Sequence, residues 1–260
     1  MSNDLQAFSL DYFNLAGKVA IVTGGNTGLG QGYAVALAKA GADLFITTYN
    51  SDWDETKQLI EAEGRRVEFY QGDLTNRDTI KDVVAKCQEK FGKIDILVNN
   101  AGTIKRAPLI EHPAEDWDAV ININLNAVYF LSQEVAKVMV EQKSGKIINV
   151  ASMLSFQGGK FVPGYTASKH GVAGLTKIFA NELAIYGVQT NAIAPGYVAT
   201  ANTAPIRSDE QRNQEIVSRI PAGRWATPAD LQSVVVFLAS KASDYMNGAI
   251  VPVDGGWLVR

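Results

Sequence analysis

Seven short runs of apolar and β-branched residues recur along the chain, at residues 18–23, 43–48, 67–70, 95–99, 146–150, 188–194 and 249–253. Between them lie longer stretches with apolar positions at helical spacing, chiefly 31–40, 53–63, 78–91, 114–142, 165–186 and 228–239. The first pattern predicts strands and the second helices. Gly41, Gly64 and Gly92 stand where three of the helices should stop, and Thr227-Pro228 supplies an N-cap followed by proline at the first helical position. The run at 95–99 has no polar alternation, the mark of a strand buried on both faces. Regular alternation of strand and helix predicts an α/β fold with a doubly wound parallel sheet and helices on both faces. No repeat, linker or low-complexity stretch divides it. Residues 16–260 read as one domain, with 1–15 as an extension or interface arm.

Composition narrows the class of partner. A length of 260 residues, 47% of them hydrophobic, suits one large domain with a substantial core. A formal net charge of -3 provides no field to attract nucleic acid or an anionic membrane, so small molecules or further copies of the chain are the expected partners. The single Cys87 cannot form an internal disulfide and reads as a packed thiol in a reducing cytoplasm. Met1-Ser2-Asn3-Asp4 lacks the basic start of a signal peptide, and Asn191, Pro195 and Gly196 interrupt the longest uncharged stretch, so no membrane span is expected. His112 and His170 have no ligand-like spacing, and no metal site is expected.

Chemistry enters at the turn Thr23-Gly24-Gly25-Asn26-Thr27-Gly28-Leu29-Gly30, between the first strand and the first helix. A helix N-terminus presents unpaired amides and a positive dipole end, and glycines let a pyrophosphate approach the backbone there. In order after it come Asn99-Asn100-Ala101-Gly102, Asn124, Ser152, and Tyr165 with Lys169 one helical turn later. Tyr-x-x-x-Lys alone is usually an exposed helical pair; the full ordered set indicates hydride transfer on a dinucleotide.

On these residues the chain resembles the short-chain dehydrogenase/reductase family from about Lys18 to Asp254. The resemblance implies a single-domain Rossmann-type fold. It assigns the cofactor phosphates to Thr23, Gly24, Gly28 and Gly30, with Asn26, Thr27 and Leu29 lining the same loop. It assigns the adenine to Asp73 and Leu74 and the adenine ribose to Asn100, Ala101 and Gly102. The nicotinamide carboxamide falls to Pro195, Gly196, Val198 and Thr200, while Tyr49, at the end of the second strand, joins the cofactor site. Tyr165 and Lys169 touch cofactor and substrate together.

The chemistry of alcohol oxidation agrees with that placement. Moving a hydride from a secondary alcohol requires a proton to leave its oxygen, so an acid/base group must touch that oxygen. Tyr165 is the candidate; a free phenol titrates near pH ~10, and Lys169 together with an oxidised nicotinamide should lower it. Ser152 would hold the substrate oxygen. By the resemblance Asn124, with Asn122 and Asn126 as rivals, joins Lys169 to a proton relay through a water.

Coenzyme choice rests on residues 48–52, which offer neither the strand-end acid of NAD users nor a nearby arginine; no basic residue occurs between Lys39 and Lys57, which favours NAD without excluding NADP. Segments 28–32, 151–159 and 219–225 are similar to the 2-dehydro-3-deoxy-D-gluconate 5-dehydrogenases and the gluconate 5-dehydrogenases. Such sugar acids need a cation for their carboxylate, for which Arg106 is the first candidate and Arg207 and Arg212 are rivals. The bland reading of all three is surface charge. A 3-oxoacyl carrier-protein reductase, a broad-specificity sugar or steroid dehydrogenase and a non-catalytic dinucleotide-binding regulator stay open. Residues 201–218 read as a mobile lid. The resemblance further implies a homotetramer, with Trp257-Leu258-Val259 against a neighbour.

Overall fold

The computed structural model of the chain describes residues 8–260. The reading of Met1 to Asp4 therefore lies outside the described residues, as does the first part of the expected extension. Seven parallel strands form one sheet: β1 (Val19–Thr23), β2 (Asp43–Thr48), β3 (Val67–Gln71), β4 (Ile96–Asn99), β5 (Gly145–Val150), β6 (Val188–Pro195) and β7 (Ile250–Val253), in the order β3-β2-β1-β4-β5-β6-β7. Every strand expected from the hydrophobic pattern is present.

Helices cover both faces. On one lie α1 (Gly28–Lys39), α2 (Asp54–Ala62) and α9 (Gln232–Ala239), whose Leu37, Ile60 and Leu238 meet Ala20, Ile46 and Ile148 in one apolar layer. On the other lie α3 (Arg77–Phe91), α5 (Ala127–Gln142) and α6 (Pro163–Leu183), packed through Val83, Leu131 and Phe179 onto Ile21, Leu97 and Ile147. All five residues of β1 are buried, and each large aliphatic side chain there contributes about 1.5–3 kcal/mol relative to exposure. Asp95 fixes the amino end of the sheet: its carboxylate accepts from Val19 N at 2.9 Å and pairs with Lys18 and Lys93 at 3.1 and 3.0 Å.

Three expectations need correction. The helix expected over 114–142 is α4 (Ala114–Ile121) and α5, joined by a π-helical segment, Asn122–Asn126. The last helix opens with a 3-10 turn, Pro228–Leu231, before α9 begins. The lid segment is more regular than expected: α7 (Ala204–Ser208) and α8 (Glu210–Arg219) follow a 3-10 turn at Ala201–Thr203. A fourth difference concerns the C-terminus. Trp257 is 5% exposed and packs edge-on against Tyr197 of its own chain, while only Val259 of that trio stands open to solvent.

Candidate active site

Because β1 and β4 are neighbours, the chain leaves the sheet in opposite directions from them, and a crevice opens where their carboxyl ends diverge. The crevice is a cleft of about 1000 Å³ running from Tyr49 and Asp73 at one end to Ser152, Tyr165 and Arg106 at the other.

Its floor is the glycine turn. Gly24 and Gly28 have φ of +60° and +56°, and a Cβ on Gly30 would lie 2.0 Å from the Gly24 carbonyl oxygen. Thr27, the N-cap of α1, makes no side-chain cap, so the first-turn amides of that helix are not closed off by its hydroxyl. Thr23 works from behind. Its buried hydroxyl accepts from Asn100 N and Ala101 N at 2.9 and 2.8 Å and donates to Val98 O, while the Asn100 amide donates to Thr23 O. This lacing holds the β1 and β4 loops as one wall. A long cleft with a glycine-lined helix N-terminus midway suits the adenosine, pyrophosphate and pyridine of a dinucleotide, which would supply the hydride donor or acceptor.

The reacting end is built by β5 and α6. Ser152 begins a short 3-10 turn, Met153–Ser155, and its Oγ accepts from Leu154 N at 3.1 Å. That contact occupies an acceptor site and leaves the hydroxyl proton for another oxygen. Tyr165 and Lys169 project from the first turns of α6, opened by Pro163. Lys169 Nζ donates to Val150 O at 2.6 Å and sits 5.5 Å from the centroid of the Tyr165 ring.

Electrostatics here differ from the sequence expectation. Burial raises the Tyr165 phenol above its ordinary value; a hydrogen bond from Ser152 and the Arg106 charge oppose this, favouring the phenolate. Burial also lowers the Lys169 ammonium to about 8, with no carboxylate among the described residues to hold its proton. Lys169 thus carries a folding cost at neutral pH. Below pH about 8 it is protonated folded and unfolded alike; between about 8 and 10.5 only the unfolded chain binds the proton, so stability rises with pH across that window. The stability of wild type relative to Lys169→Met should therefore rise between pH 8 and pH 10 in denaturant titrations; a difference independent of pH would contradict the burial argument.

Asn124 is fully buried within the π-helical segment and does not line the cleft. Its side chain accepts from Thr103 N at 2.8 Å and donates to Thr103 O at 2.9 Å and Ser168 Oγ at 3.3 Å. The side chain staples the loop after β4 to α6, so a relay through Asn124 would have to use its main chain. Asn124 is the one residue that this π-helical segment buries.

Every other candidate site residue except Thr23 lines the cleft: Asn26, Leu29, Tyr49, Leu74, Gly102, Pro195, Gly196, Val198 and Thr200 do so with the residues already named. Asp73 uses one carboxylate oxygen in a turn to Thr75 N and Oγ1. Of the rival arginines, neither lines the cleft: Arg207 donates to Thr200 O and Arg212 pairs with Glu215. Asn122, a rival of Asn124 in the sequence, and the turn 201–203 of the expected lid also line it, as does Ile104, which was not anticipated and which only its position after β4 could have pointed to.

Comparison with known proteins agrees with this site. Residues 24–258 match the family model described as enoyl-(acyl carrier protein) reductase. The chain is 56% identical over 250 residues to a 2-dehydro-3-deoxy-D-gluconate 5-dehydrogenase of Bacillus subtilis, covering 96% of this chain and 98% of that one. It is also similar to a solved structure from Agrobacterium tumefaciens described as a 2-deoxy-D-gluconate 3-dehydrogenase with bound NADP, at 47% identity and a TM-score of 0.89, over 96% of this chain and 100% of that one. A Beutenbergia cavernae structure described as an NAD(P)-dependent gluconate 5-dehydrogenase, with bound NADP, is 45% identical with a TM-score of 0.91, over 95% and 99% of the two chains. With the glycine turn, the crevice and the Ser152, Tyr165 and Lys169 group in one cleft, and identity of this order along nearly its whole length, the chain belongs to the short-chain dehydrogenase/reductase family of oxidoreductases.

Proposed function

We propose that this protein is an NAD(P)-dependent 2-dehydro-3-deoxy-D-gluconate 5-dehydrogenase, interconverting a secondary alcohol and a ketone at carbon 5 of a sugar acid. The observation that carries the substrate class is the state of the cations at the reacting end. Lys105 is paired with Asp116 at 3.3 Å, Lys169 is buried against Val150 O, and the Arg106 guanidinium has no hydrogen-bond or ion-pair partner among the described residues. Its charge reaches the Tyr165 phenol. An unpaired guanidinium beside an acid/base phenol suits a substrate with a carboxylate and an alcohol on one short chain.

In this reading Tyr165 takes the proton of the carbon-5 hydroxyl in oxidation and returns it in reduction. With substrate in place Ser152 turns its hydroxyl proton to the same oxygen and stabilises charge as it develops there. Lys169 supplies positive charge behind the phenol, and Arg106 holds the carboxylate. At the far end of the cleft, Asn26 ties the loop after β2 by donating to Asn50 Oδ1 and Asp52 O at 2.9 and 2.8 Å. The cleft's lysines and arginine are Lys105, Arg106 and Lys169, none of them near that loop. This supports NAD over NADP for this chain, although the two similar structures hold NADP.

Two measurements test the proposal. Nicotinamide absorbance should change with 2-dehydro-3-deoxy-D-gluconate and NAD, and more slowly with gluconate or a 3-hydroxyacyl thioester, each of which carries a secondary alcohol to give up the hydride; preference for the thioester would replace this reading with that of a carrier-protein reductase. Arg106→Ala should raise KM for the sugar acid about tenfold while leaving KM for an uncharged ketone unchanged, since an exposed charge-assisted bond is worth roughly 1.5 kcal/mol. Equal effects on both substrates would remove the clamp. The same reading includes a cytoplasmic homotetramer, supported by exposed apolar Leu109, Ile110, Trp117 and Ile178 near or on the mutually packed α4 and α6. A solution mass of one subunit would contradict it.

A further inference from the structure

The turn that carries Ser152 holds a second buried serine. Ser155 is 8% exposed; its amide donates to Ser152 O at 2.8 Å, and its Oγ donates to the main-chain carbonyl of Lys169 at 2.7 Å. Lys169 lies in the interior of α6, where the helical ladder already gives that carbonyl a donor, so the second bond is not needed to satisfy it. What the bond does is join two elements otherwise connected through a loop. From Ser152 O to Ser155 N, from Ser155 Oγ to Lys169 O and along one turn of α6 to Tyr165, the contacts run from the Ser152 turn to the phenol that lines the same cleft.

We propose that Ser155 is a positioning residue: by tying the Ser152 turn to α6 at Lys169, it sets the distance between the Ser152 hydroxyl and the Tyr165 phenol. The inference rests on the proposed roles of Ser152, Tyr165 and Lys169. Small displacements between reacting groups are costly in rate, up to about a hundredfold for 1 Å. Cofactor affinity should not depend on this tie, because the glycine turn and the β1–β4 lacing lie elsewhere in the cleft.

The test compares wild type with Ser155→Ala, Ser155→Thr and Tyr165→Phe, reading kcat, KM, dinucleotide affinity and the pH dependence of kcat. Ser155→Ala should lower kcat about ten- to a hundredfold, leave dinucleotide affinity unchanged and move the ionisation that governs kcat to higher pH, because the phenol loses its Ser152 partner. Ser155→Thr, which keeps the hydroxyl, should recover most of kcat and the wild-type pH profile. Should Ser155→Ala not fold, Ser155→Cys replaces it, with the same expected loss, since a thiol is a poor donor. Inactive Tyr165→Phe beside a Ser155→Ala enzyme with unchanged kcat or pH profile overturns the positioning role alone. Full turnover by Tyr165→Phe overturns the reading beneath it.

Discussion

Replacement of Tyr165 by Phe is expected to lower kcat by about 10²- to 10⁴-fold with dinucleotide affinity retained, the magnitude that a positioned proton donor commonly supplies. The loss should be hard to rescue, because among the described residues the cleft contains no substitute. Its other side chains able to exchange a proton are Tyr49 and Asp73, at the opposite end, Lys105, engaged by Asp116, and Lys169, buried against Val150 O. Steady-state kinetics with a fluorescence titration of the dinucleotide separates the two quantities. Loss of affinity and rate together would instead mean that the Tyr165 hydroxyl serves binding.

Gly30→Ala should have the other large effect, on binding. The added Cβ would stand 2.0 Å from Gly24 O and 2.5 Å from Asn100 Nδ2, both part of the wall that joins the β1 and β4 loops. A backbone carbonyl held on both sides cannot yield as a flexible side chain would. The turn must open, at a cost of about 1–3 kcal/mol in stability. Dinucleotide affinity should fall by about 10- to 100-fold, with the melting temperature lowered in the same variant. Normal affinity in a folded Gly30→Ala protein would show that the phosphates do not depend on this turn.

Much of this arrangement was legible in the sequence, and the reasons are physical. Strands buried on both faces leave continuous apolar runs, and a strand-to-helix corner that must accept positive φ and close backbone contact leaves glycines. Together these disclosed the sheet, the crevice and most of its lining. The π-helical segment was hidden, because Ile121, Leu125 and Val128 continue an apolar spacing of three or four residues through it. With it went the inward turn of Asn124. Helix α8 leaves almost no apolar stripe to read, since it buries only Ile216. The C-terminal Trp257 shows a different limit: an apolar residue announces burial but not against which surface. Burial also overrode the simple charge argument for Tyr165, because a half-buried phenol set in the cleft loses hydration that Lys169, itself depressed by burial, does not restore.

The central claim is that this chain moves a hydride to or from carbon 5 of a sugar acid while Tyr165 moves the proton. The most direct test supplies dinucleotide deuterated at the transferable position of its reduced ring, together with the 2,5-diketo form of the 3-deoxy sugar acid, and locates the label by NMR. The account predicts deuterium on carbon 5 of the product with the wild-type protein, and its appearance about 10²- to 10⁴-fold more slowly with Tyr165→Phe. Label on another carbon, or equal transfer by the Tyr165→Phe variant, would contradict it.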